Sequence, residues 1–151
     1  MDTGIYVAVK ISRNSKRCLQ QITNQYTIPN MISFSKLHAT IVFSRKFDHI
    51  VPNSANRFKG IITGYKIFLT RDNKNGLVVE FDSKDLVNRH AELISMYDLT
   101  YEFDTFIPHF TLSYDVGDNF DVIKLPIPNC PIVFESEYVE PLDLNWANKL
   151  K

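Results

Sequence analysis

The chain has 151 residues, 44% hydrophobic and 13% aromatic. That excludes a disordered polymer and suits one compact domain spanning residues 1–151. Lys+Arg and Asp+Glu balance at 17 each, which removes any overall attraction to long duplex DNA or an anionic membrane but leaves room for a local anion site.

The opening MDTGIYVAVK reads as a strand over residues 4–11 rather than an export signal, and no apolar run is long enough to cross a bilayer. A soluble, cytoplasmic protein is therefore expected, with Cys18 and Cys130 reduced. Asn14 and Ser15 offer caps for a helix whose Cys18, Leu19, Ile22 and Tyr26 recur at helical spacing, with Cys18 in the core. Pro29 and Asn30 end it. The strand LHATIVFS follows, with Leu37, Ala39, Ile41 and Phe43 as its apolar face. A polar loop runs from Arg45 to Asn56; Arg45, Lys46, Arg57 and Lys59 flank this strand and could steer phosphates, a solvated face being the more common meaning of such charges. Residues 58–70 form a long strand, turned by Asn75-Gly76 into LVVEF. Ser83 caps a second helix with Val87, Ala91, Ile94 and Tyr97 along one stripe. A loop with Asp98, Asp104 and Pro108 leads to the strand HFTLSYD, whose apolar face is Phe110, Leu112 and Tyr114. The tail adds the strand PIVFESEYVE. Strands outnumber helices, so the class is α+β. His49, in a loop, and His90, on a helix, read as solvated.

One short pattern occurs twice in this order. His38-Ala39-Thr40 and His109-Phe110-Thr111 both lie in alternating strands, where residues i and i+2 share a face. Each copy thus presents an imidazole beside a hydroxyl. Tyr26, His38 and Thr40 match Tyr97, His109 and Thr111 at a constant offset of 71 residues, and Asn14-Ser15-Lys16 is echoed by Asp82-Ser83-Lys84. The chain reads as a duplication: two pseudo-symmetric β-sheet lobes with flanking helices around a central cleft, one HxT motif per lobe.

Paired HxT motifs at this separation resemble the two-histidine phosphoesterase superfamily, which includes RNA 2′,3′-cyclic phosphodiesterases and 2′-5′ oligoadenylate phosphodiesterases. Within it, GIYVAVK, LHATIVFSR, HFTLSYD and the tail EYVEPLDLNWANKL are similar to bacteriophage anti-CBASS nucleases, which destroy the cyclic oligonucleotide messengers of bacterial antiviral immunity. The resemblance implies a metal-independent enzyme with no cofactor, acting on a cyclic oligonucleotide in the host bacterial cytoplasm. It also implies that His38, Thr40, His109 and Thr111 are catalytic and that Tyr6, Glu140 and Trp146 contact substrate.

Two imidazoles suit this chemistry because a neutral one takes the proton of a ribose 2′-OH while a protonated one supplies the departing 5′-oxygen. Threonine hydroxyls can donate to the non-bridging oxygens. The sequence does not say which histidine is base, nor the oligomeric state. Zinc hydrolysis is disfavoured, since Asp48, His49 and Asp115 make no recognisable ligand motif. A nucleotide-sequestering protein needs no matched acid and base, while an RNA-end phosphodiesterase would keep the same four residues. Trp146 reads equally as a tail anchor or a base-stacking ring, and Glu140 as an acceptor for a base amine or an exposed strand-end charge.

Overall fold

The computed structural model describes residues 4–100 and 105–142. Its strands are β1 (Ile5–Ile11), β2 (His38–Ser44), β3 (Phe58–Leu69), β4 (Asn75–Asp82), β5 (His109–Ser113) and β6 (Pro131–Pro141). Helix α1 (Lys16–Thr23) lies between β1 and β2, and α2 (Lys84–Met96) between β4 and β5. The strands close into an antiparallel ring in the order β1-β2-β5-β4-β3-β6.

The ring makes the duplication explicit. The unit β1-α1-β2 repeats as β4-α2-β5; β6 flanks β1 as β3 flanks β4. The two lobes meet where β2 pairs β5 and again where β3 pairs β6. Helix ends obey the same offset: Tyr26 N–H bonds the Ile22 carbonyl, and Tyr97 N–H bonds that of Leu93.

Period-two alternation sends one face of each strand to a shared core. Val7, Val9, Ala39, Ile41, Leu77, Val79, Phe110, Leu112, Ile132 and Phe134 join Leu19 and Ile22 of α1 and Leu86 and Leu93 of α2 in one apolar cluster. Phe81, Phe110 and Phe134 lie within it, with ring centroids 5.1 to 6.0 Å apart. Each fully buried ring contributes about 1.5–3 kcal/mol.

A bulge follows each HxT motif. Val7 pairs Val42 and Ala8 pairs Thr40, leaving Ile41 extra; Leu77 pairs Ser113 and Val78 pairs Thr111, leaving Leu112 extra. An inserted residue shifts the alternation by one. Val42, not Phe43, therefore enters the core, and Phe43 joins Tyr6, Ala8, Tyr138 and Leu142 in a smaller cluster.

Several local expectations are corrected. Asn75 and Gly76 belong to β4, pairing Leu69 and Phe68, and the reversal uses Thr70–Lys74 with Asn73 at φ 59°. Gly76 packs against Phe68: a Cβ there would sit 2.3 Å from the ring and force it to move. The Ser15 hydroxyl does not cap α1 but exchanges hydrogen bonds with the backbone of Val133 on β6. Ser83 does cap α2, accepting from Leu86 N–H. The buried stripe of α2 is Leu86, His90 and Leu93, one residue out of step with the expected one, and Val87 is exposed. His90 is thus buried, with Nδ1 donating to the Ile41 carbonyl at 2.7 Å and its ring stacked on Phe106. His49 is exposed as expected. Cys18 and Cys130 are joined in a disulfide, Cα atoms 5.8 Å apart, because the buried face of α1 lies against the start of β6.

Candidate functional site

The pairing of Ala39 with Phe110 fixes the centre of the site. Continuing this antiparallel register by one residue each way sets His38 opposite Thr111 and Thr40 opposite His109. Facing residues of such a pair lie about 4.5–5.5 Å apart, so two imidazoles and two hydroxyls form a diagonal square on one sheet face. Ala39, Ile41, Phe110 and Leu112 point the other way, into the core. The motifs that occur 71 residues apart in sequence are neighbours in space, each imidazole beside the other copy's hydroxyl.

Both rings are oriented alike. His38 Nδ1 donates to the Lys36 carbonyl at 3.0 Å and His109 Nδ1 to the Ile107 carbonyl at 2.9 Å, two residues upstream in each case. A carbonyl only accepts, so Nδ1 carries the hydrogen. Nε2 is then the nitrogen of each ring that can accept a proton when neutral or deliver one when charged.

Their surroundings differ. His38 is half-buried, and burial holds its imidazole below the ordinary range. The Lys36 carbonyl and Glu140 oppose that shift, while His109 adds to it. His109 itself is exposed. Thr40 shares a 2.7 Å hydrogen bond with the Tyr6 hydroxyl, and the Tyr6 ring meets His38 edge-on. Burial pushes the Tyr6 phenol up, well beyond its usual value, so it remains protonated. Either hydroxyl can donate in this pair, and when Tyr6 does, the Thr40 proton can turn to another acceptor. In the second copy, burial pushes the Tyr114 phenol up, and nearby Thr111 opposes that shift.

Register extends the face outward. Tyr6 pairs Glu140, whose carboxylate is felt electrostatically by His38, Tyr6 and Tyr138. Lys10 lies opposite His38, and Glu80 opposite His109. Glu80 is paired with Lys66 at 3.4 Å. Six of the seven expected site residues thus converge; Trp146 lies outside the described residues. Lys10, Tyr138, Lys66 and Glu80 were not anticipated. The signal for Lys10 was present, since it follows Tyr6 by four residues and therefore shares its face. Of the cations near the first motif, Lys46 pairs Asp98 and Arg57 pairs Glu135. Among the described residues, no group of three or more His, Cys, Asp or Glu is placed to hold a metal ion.

The fold is similar to that of a crystallised phosphoesterase, with a TM-score of 0.52 at 14% identity over 92% of this chain and 84% of the other. It is also similar to Escherichia coli LigT, crystallised with 3′-AMP, with a TM-score of 0.51 at 13% identity over 95% and 97% of the two chains. Among sequences, the anti-CBASS protein Acb1 of Enterobacteria phage T4 is 36% identical over 150 residues, covering 99% of this chain and 95% of the relative. That of Vibrio phage KVP40 is 34% identical over 144 residues, covering 95% and 91%. The family model for anti-CBASS protein Acb1 matches residues 3–149. With that match spanning nearly the whole sequence on a two-histidine phosphoesterase fold, this chain belongs to the anti-CBASS protein Acb1 family.

Proposed function

We propose that the protein is a metal-independent phosphodiesterase that hydrolyses 3′–5′ bonds of cyclic di- and trinucleotide immune messengers, allowing a phage to evade its host's defence. The observation that carries this reading is the central register, with Ala39 opposite Phe110, which turns two distant motifs into one square of acid, base and hydroxyl groups. Family membership supports the anti-CBASS role, and the relatives that share it are phage proteins.

In this mechanism a neutral imidazole removes the proton from a ribose 2′-OH, and the resulting oxygen attacks the adjacent phosphorus. The 5′-oxygen leaves with a proton from the other, protonated imidazole. A 2′,3′-cyclic phosphate results, and water then opens it with the roles reversed. Thr40 and Thr111 donate to the non-bridging oxygens. His38 suits the base, because burial keeps it neutral over a wider pH range. Exposed His109 then acts as the acid. Tyr6 orients the Thr40 hydroxyl, while Glu140 accepts from a base amine and Trp146 stacks on a purine.

The test is a substrate panel: a cyclic dinucleotide, a cyclic trinucleotide and an RNA with a 2′,3′-cyclic end, each with and without excess chelator. Cleavage of the cyclic messengers, unaffected by chelator, with a bell-shaped pH–rate profile is the expected result. Binding without products identifies a sponge, and preference for the RNA end identifies an RNA-processing enzyme.

A further inference from the structure

We propose that Lys10 forms a subsite for a second, non-reacting phosphate of the substrate, one strand spacing from the histidine–threonine square. This deepens the phosphodiesterase reading and rests on it. A cyclic oligonucleotide carries one phosphodiester per nucleotide, so positioning one at the reacting centre brings at least one more anion to the same face.

Several observations converge on Lys10. In the β1–β2 register it lies opposite His38, while Ala8, on the same face, lies opposite Thr40. Neighbouring strands are about 4.8 Å apart. The Lys10 ammonium stands over the Tyr138 ring, 5.7 Å from its centroid, and Tyr138 packs against Tyr6 and Ala8 on that face. The cation is therefore held against the sheet face, on the β6 side of β1, rather than extended into solvent. Among the described residues, no carboxylate forms an ion pair with Lys10; Glu135, the register partner of Lys10 on β6, is engaged by Arg57 instead.

The duplication supplies an internal contrast. The position corresponding to Lys10 beside the second histidine is Glu80, which is paired with Lys66. One flank of the square thus presents a lysine outside any ion pair, its register partner Glu135 being taken by Arg57, and the other a neutralised pair. An anion beyond the reacting phosphate is favoured on the Lys10 side alone. A lysine ammonium recognises it as a point charge and is indifferent to the attached base.

The test compares the unaltered protein with Lys10→Met, which keeps the aliphatic stem, and Lys10→Arg, which restores charge. Dissociation constants are measured in a His109→Asn background for a cyclic dinucleotide, with two phosphates, and a linear dinucleoside monophosphate, with one. Lys10→Met is expected to weaken the cyclic ligand about tenfold, as loss of a charge-assisted contact does, and the linear ligand less than twofold. Lys10→Arg recovers most of the difference, and in the active protein the effect appears in KM rather than kcat. Equal weakening of both ligands, or none for the cyclic one, overturns the subsite. Tight cyclic binding by the active protein without cleavage refutes the catalytic reading, while the ratio of constants still judges Lys10. Failure to bind the cyclic dinucleotide overturns both.

Discussion

The two halves of the molecule stabilise the same bulge with different chemistry. In the first, the Ile41 carbonyl accepts a 2.7 Å hydrogen bond from the His90 imidazole of α2. In the second, the equivalent Leu112 carbonyl accepts from the Ile32 backbone N–H at 2.8 Å. The helices differ in the same way. A disulfide and the Ser15 hydroxyl tie α1 to β6, whereas α2 reaches β6 through the buried Arg89–Glu137 pair, at 2.8 Å. Duplication has retained the backbone path and the four central side chains while their supports diverged. The divergence reaches the site: half-buried His38 has Lys10 beside it, and exposed His109 has Glu80. In the proposed mechanism, symmetric geometry in asymmetric surroundings is what separates two identical side chains into a base and an acid.

The largest expected effects test whether the two copies act as one unit. His38→Asn and His109→Asn should each reduce kcat about 10²–10⁴-fold. The double variant should lose much less than the product of the two, because the groups serve one proton-transfer cycle. Steady-state kinetics on a cyclic dinucleotide measure this. One variant staying within tenfold of the unaltered protein would show that the copies are not equivalent partners. Stability should respond next most strongly to the tie on α2. Glu137 is fully buried and also accepts from Asn53 N–H, so Glu137→Leu takes away the buried partner of Arg89, itself only 10% exposed, and leaves it the half-exposed Glu92 alone. The expected cost is about 3–5 kcal/mol in urea unfolding.

The tie on α1 should count for somewhat less. Reducing the Cys18–Cys130 disulfide, which spans 112 residues of sequence, should cost about 2–4 kcal/mol. Unfolding midpoints with and without reductant measure it, and a Cys18→Ser/Cys130→Ser double variant should show no dependence on reductant. A reductant-insensitive midpoint in the unaltered protein would mean that α1 is held by packing and Ser15 alone.

Why the site was legible and its supports were not follows from the range of the forces involved. An i, i+2 pattern places His38 and Thr40 on one face without tertiary information, and the 71-residue offset extends this to the second copy. The two-lobed α+β fold follows from the same repetition. The alternation could not reveal the bulges, which send Val42 rather than Phe43 into the core. On α2, Val87, Ala91 and Ile94 are the more apolar stripe by composition. The buried stripe contains His90 because the carbonyl of a bulged strand 49 residues away gives that imidazole a partner. Asn-Gly ordinarily marks a hairpin, yet longer β3–β4 pairing draws both residues into the strand and leaves Asn73 to make the reversal. The pairing of Cys18 with Cys130 depends on the packing of α1 against β6, which no local pattern encodes.

The smallest effect separates the two ways of holding a bulge, through pH. Burial holds the His90 imidazole below its ordinary value, so the folded protein favours the neutral ring while the unfolded chain binds a proton more readily. This contribution to stability is complete above the unfolded value of about 6.5 and is lost as pH falls from there toward the folded one. His38 is shifted in the same direction and contributes with the same sign. His90→Gln should therefore reduce, without abolishing, the loss of stability between pH 7.5 and 5, and His90→Gln with His38→Asn should nearly flatten it. At pH 7.5, His90→Leu should cost about 1–3 kcal/mol, because the Ile41 carbonyl is left buried without a donor. The second half has no such liability, since the Ile32 N–H that holds Leu112 does not titrate. Hydrogen exchange followed across the same pH interval distinguishes the two: protection in β2 should fall with acid while that in β5 holds. Equal loss in both strands would mean that the bulges open together and that His90 is not the pH-sensitive support.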